Sequence, residues 1–172
     1  MQVRELFNEF PIEDGGVVTL ALQQLLREPL NVSHDWRRAE QILQQARDLM
    51  PERLEVPVAL YKMYAYSNRF EEALAVIDEV LYQAAEEGGF VADWRQLDDD
   101  NTPWRQAAGA RRFYLYSMKA TGFVCLRKGD IAGACAVLEK LLRLDPLDQV
   151  GGSVVYDMAQ LILDQEDEQG VA

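Results

Sequence analysis

From Val17 onward, apolar residues recur three and four positions apart, and no long stretch alternates apolar and polar at period two. That spacing is the signature of helices with one buried face. Seven helices follow from it. The first runs over about 17–28, turns Leu20, Leu22, Leu25 and Leu26 inward, and is stopped by Pro29, which has no helical N–H to give. "SHDWRRAEQILQQARDLMPE" supplies the second: Ser33 or Asp35 caps it, Ile42, Leu43, Ala46 and Leu49 mark its face, and Pro51 ends it. The third covers about 52–67 with Val58, Leu60, Tyr61, Tyr64 and Ala65, and the turn "SNRF" opens a fourth that closes at Gly88-Gly89. Thr102 as cap and Pro103 at the first helical position start a long fifth helix that reaches about Lys128. "KGD" turns it into a sixth, Ile131 to Leu144, and a seventh spans about 150–165 before an acidic tail, "DQEDEQGVA", that is expected to fray. Ahead of all these, Val3 to Phe10 reads as one short helix, and Asp14-Gly15-Gly16 as a turn.

The pattern also repeats. "HDWRRAEQIL", "SNRFEEALAVI" and "KGDIAGACAVL" each place an alanine (Ala39, Ala73, Ala134) four residues before a large aliphatic, and the first two alanines lie 34 residues apart. Pro51 and Pro146 each follow their alanine by twelve. A fixed period of this length marks stacked supersecondary units, because no single helix pair can bury its apolar face alone.

With Gly122 and Ala134 at two small positions, Gly129 at the hairpin turn and Pro146 at the end, "LYSMKATGFVCLRKGDIAGACAVLEKLLRLDP" resembles a tetratricopeptide repeat. "LEVPVALYKMYAYSNRFEEALAVIDEVL" matches through Phe70, Ala73, Ile77 and Val80, with Tyr61 in place of the first small residue. The first repeat matches in its second helix only, through Trp36, Ala39, Leu43, Ala46 and Pro51. The resemblance implies an all-α single domain of antiparallel hairpins stacked as a short right-handed superhelix. Its repeats fall at about 20–53, 54–87 and 115–148, with a capping helix at about 149–166. Ala73 and Ala134 are 61 residues apart, 27 more than one repeat, so an insertion at about 88–114 separates two repeats.

Composition narrows the function. The 172 residues carry a net charge of −12, which opposes nucleic-acid phosphates and anionic lipid. The first residues, "MQVRELFNEF", lack a basic segment followed by an apolar run, and no stretch approaches a membrane span. A cytoplasmic protein with reduced Cys125 and Cys135 is the expectation. Those two cysteines and His34 are too few for a structural zinc site, and no nucleophile–base pair or phosphate loop can be assembled from the chain, so neither catalysis nor a cofactor is expected.

Two regions remain as binding candidates. In the insertion, "QLDDDN" lacks the glycine and distal glutamate of a calcium loop, so its aspartates read as solvation and N-terminal charge, with no metal expected. Phe90, Trp94 and Trp104 around it either fold back onto the helices or anchor a partner. The resemblance further implies a concave wall lined by the first helix of each pair, with Lys62, Tyr66, Tyr116, Lys119, Phe123 and Arg127, and helical spacing puts Arg112 one turn before Tyr116 on the same side. Cations amid aromatics suit an extended or helical peptide with acidic residues. The expected function is a non-catalytic adaptor for a protein or peptide. A secretion chaperone resembling the type III translocator class, and a self-assembling structural protein that forms homodimers, stand as alternatives.

Overall fold

The computed structural model describes residues 1–12, 23, 27 and 30–170. Of the first expected helix, at 17–28, only Gln23 and Arg27 are described, and the Asp14-Gly15-Gly16 turn lies outside the described residues. Among those described the chain is all-α: six α-helices, three short 3₁₀ turns, and an isolated bridge between Gln2 and Asn31 in place of any strand. The α-helices are α1 (Trp36–Leu49), α2 (Glu55–Tyr66), α3 (Phe70–Gly88), α4 (Ala110–Lys128), α5 (Ile131–Leu144) and α6 (Gly152–Gly170). No helix among the described residues is long and apolar enough to cross a membrane. The chain forms two compact units, Met1–Ile77 and Asp78–Ala172, with the boundary inside α3.

In the first unit α1 packs on α2, and α2 also receives the 3₁₀ turn Val3–Phe7, whose Val3, Leu6 and Phe7 are buried. The expected helix at 3–10 is therefore shorter and more tightly wound than its apolar spacing suggested. On α1 Ala39, Ile42, Leu43 and Ala46 face the core as their spacing requires, but Leu49 is 56% exposed. The helix ends at Leu49, and Met50 turns in instead, packing with Ala46, Val56 and Ile12. Asp35 stands at the N-cap position, yet its carboxylate accepts from the backbone N–H of Asn31 rather than from the helix.

In the second unit α4, α5 and α6 pack pairwise. Gly122 lets α4 approach α5: a Cβ there would sit 2.5 Å from the Leu138 side chain. Gly129 turns the chain in the left-handed conformation (φ 89°), and the Asp130 carboxylate caps α5 through the Gly133 N–H at 2.9 Å. Ile131, Cys135 and Ala159 form a small core against Leu126, Ile162 and Leu163.

Two expectations about this unit need correction. Thr102 does not begin a long helix. Thr102–Trp104 is an isolated 3₁₀ turn, Arg105 is extended, Gln106 and Gly109 have φ of 53° and 54°, and α4 starts only at Ala110. Pro103 fixes the first turn, and the left-handed residues that follow prevent its propagation. At the other end the helical backbone of α6 continues into the acidic tail as far as Gly170, beyond the end at about 165 that its apolar spacing set.

Candidate functional site

The inserted segment folds into a ring-lined loop because of one glycine. A Cβ at Gly88 would lie 2.2 Å from the Phe90 ring, so only glycine lets Phe90 turn back over the end of α3, and Gly89 makes the turn at φ 70°. Phe90 then meets Trp104 and Tyr114 edge-on, with centroids 5.0 and 4.9 Å away. Trp104 is 4% exposed. The Tyr114 hydroxyl donates to the Ala92 carbonyl at 2.7 Å, and burial, helped by Asp93, holds its pKa well above the usual tyrosine value. Trp94 is only half-buried and carries the Arg95 guanidinium over its ring at 4.3 Å.

Two residues that the sequence reading passed over hold this loop. Lys140 on α5 is buried. It donates to the carbonyls of Leu97 and Asp98 and to the Asp99 carboxylate at 2.8 Å. That contact, with Arg143 nearby, holds the Asp99 carboxyl below its ordinary range. Gln149 accepts from the Ala107 N–H at 2.8 Å and donates to the Trp104 carbonyl at 2.9 Å, while the buried Asp145 accepts from Gln149 in turn. The aspartates behave as turn formers: Asp98 accepts from the Asp100 N–H, and Asp100 from the Thr102 N–H. Among the described residues no group of three acidic, histidine or cysteine side chains could hold a metal ion.

The wall residues divide between the units. In the first, the Lys62 ammonium donates to the Leu6 carbonyl at 3.0 Å, and Tyr66, half exposed, lines a cavity of about 390 Å³ with Trp36 and Arg69. Arg69 bonds Glu40 at 3.0 Å and stacks on Trp36 and Tyr64, whose hydroxyl donates to Glu40 at 2.6 Å. Burial raises the Glu40 pKa, but these two hydrogen bonds outweigh it and leave the carboxyl below its ordinary value. In the second unit Lys119 donates to the Val150 carbonyl at 2.6 Å and lies over the buried Tyr116 ring; Arg127 lies 5.8 Å from the half-buried Phe123, and Arg112 is half-buried. Both lysines expected to meet acidic peptide residues are thus held by backbone carbonyls of their own unit.

The thiols of Cys125 and Cys135 are free, and burial raises the pKa of each, the opposite of an activated nucleophile. A surface that the repeat pattern did not suggest lies on α6. Val154, Met158 and Leu161, at helical spacing, are 59%, 49% and 62% exposed. Asp157 and Asp164 flank them, and α6 carries no lysine or arginine.

A protein of Azotobacter chroococcum mcd 1, described as an uncharacterized 19.8 kDa protein in the nifW 5′ region, is 31% identical over 122 residues, which span 70% of this chain and 68% of that protein. No family model matches the chain, and no solved structure matches it.

Proposed function

The chain belongs to the family of that 19.8 kDa Azotobacter protein, and from this premise we propose that it is a non-catalytic module that binds another protein. The observation that carries the reading is the outer face of α6. A terminal helix of a stacked helical array ordinarily presents a polar outer face. Here Val154, Met158 and Leu161 present hydrocarbon to solvent, bordered by carboxylates on one flank. The occupant that fits is a basic amphipathic helix: its apolar stripe covers the three side chains, and its lysines or arginines meet Asp157 and Asp164. A second copy fits poorly, since it would bring like charges together in a chain of net charge −12.

The test is a pull-down with the wild-type chain and with Met158→Lys/Leu161→Lys, whose helicity is checked by circular dichroism. The wild type is expected to capture one or a few proteins that the variant loses, cross-linked through a Lys/Arg-rich helix. The Azotobacter relative is placed in the nifW 5′ region, so the nifW product is one protein to look for in the eluate. Equal capture by both forms would remove α6 from the binding surface. A wild-type dimer that the variant dissolves would establish self-assembly instead.

A further inference from the structure

The insertion lines an open pocket of about 250 Å³, with Phe90, Val91, Leu97, Pro103 and Trp104 as its hydrocarbon and aromatic walls and Gln96, Asp98 and Arg111 as its polar ones. Arg111, at the start of α4, places its guanidinium carbon 5.5 Å from the Phe90 centroid and 6.0 Å from that of Trp104. Arg111 makes no ion pair with any carboxylate of the described residues, and its buried Nε has no hydrogen-bond partner. This holds although Asp98 lines the same pocket, its carboxylate being turned to the Asp100 N–H. Buried polar groups left unpaired are rare in folded chains and call for a cause.

We infer that this pocket binds a monocarboxylate bearing one hydrocarbon side chain, with the Arg111 guanidinium holding the carboxylate and the ring-lined walls holding the side chain. Size supports a small ligand: the volume is below the roughly 300–1,000 Å³ of cofactor-sized sites. Charge supports a single negative group. The guanidinium fork matches a carboxylate with two parallel N–H bonds, and the first turn of α4 adds a partial positive charge. Asp98, which lines the pocket, opposes a dianion such as phosphate more strongly than a single carboxylate. The inference is independent of the α6 surface. The carboxylate has two possible sources, a small free acid or the C-terminal residue of a peptide, which share this chemistry.

Four probes separate the outcomes: N-acetyl-leucine, N-acetyl-leucinamide, and a tetrapeptide ending in leucine with a free or an amidated terminus. Binding is read from the Trp104 indole N–H in NMR titrations of the full chain. The two carboxylates are expected to shift that resonance saturably and the two amides at least about tenfold more weakly. Arg111→Gln is expected to abolish the distinction between acid and amide. Val91→Trp, at a half-exposed wall position, is expected to block both acids without touching Arg111. A free-terminus peptide that binds at least about tenfold tighter than N-acetyl-leucine identifies a peptide end as the source; equal affinity identifies a small acid. No saturable shift with either acid, or equal binding of acids and amides, would overturn the inference.

Discussion

The Glu40 carboxylate sits where its charge stabilises the fold. It accepts from Arg69 and Tyr64, and its folded pKa lies below the ordinary glutamate value of 4.5. A depressed carboxylate contributes stability above its unfolded pKa and loses it as pH falls through the folded one. Glu40→Gln should therefore cost about 1–2 kcal/mol at neutral pH, and the gap to wild type should close on acidification below about pH 4.5. Thermal melts of both proteins at several pH values check this; a gap that does not narrow on acidification would assign the effect to packing. Gly122 makes a different residue-scale demand. An alanine there meets three Leu138 atoms at 2.5–2.8 Å, and Leu138 is fully buried. Gly122→Ala is expected to destabilise by about 1–3 kcal/mol, and Leu138→Ala in the same chain should recover part of that loss. Additive costs in the double-mutant cycle would mean that the two residues do not compete for space.

At the level of the elements, the helices were readable where one face had to be buried and a stop residue was present. Ile131–Leu144 was bounded by Asp130 and the Leu144-Asp145-Pro146 end, and α3 by Gly88-Gly89. Readability failed where the deciding contact was distant in sequence. Thr102-Pro103 carries a sound local helix start, yet the Ala107 N–H is taken by Gln149, forty-two residues on, and the backbone leaves the helical region at Gln106. Lys140 left a trace that could have been followed: it interrupts the apolar run Val137, Leu138, Leu141, Leu144 on the face of α5 that becomes buried. A lysine there must find oxygen partners, and it finds them in the insertion. Lys140→Met keeps the buried stem and removes those bonds, leaving two backbone carbonyls without their donor. It should expose the loop to trypsin at Arg95 and Arg105 several-fold faster while helix content is unchanged. Unchanged cleavage would mean that the aromatic trio and Gln149 suffice to hold the loop.

For the molecule as a whole, charge discriminates among partners more sharply than shape does. A net charge of −12 spread over a 19.6 kDa chain repels a second copy as well as nucleic acid, and it draws in basic surfaces. In the proposed docking, the apolar stripe bordered by carboxylates is where such a surface settles. The contribution of charge is separable from that of hydrocarbon because only the first is screened: the Debye length falls from about 30 Å at 0.01 M to about 3 Å at 1 M salt. A synthetic helical peptide with a leucine stripe and lysine flanks should therefore bind the chain at low salt and lose about tenfold or more in affinity by 0.5 M. The same peptide with glutamate flanks should not bind measurably. Met158→Lys/Leu161→Lys should weaken the lysine peptide at every salt concentration, since it removes hydrocarbon and adds repulsion together. The mass in light scattering should stay near that of one chain throughout the low-salt series. A lysine peptide whose affinity ignores salt would show that hydrocarbon alone drives docking, and a mass that doubles with concentration would show that the stripe is covered by a second copy despite the charge.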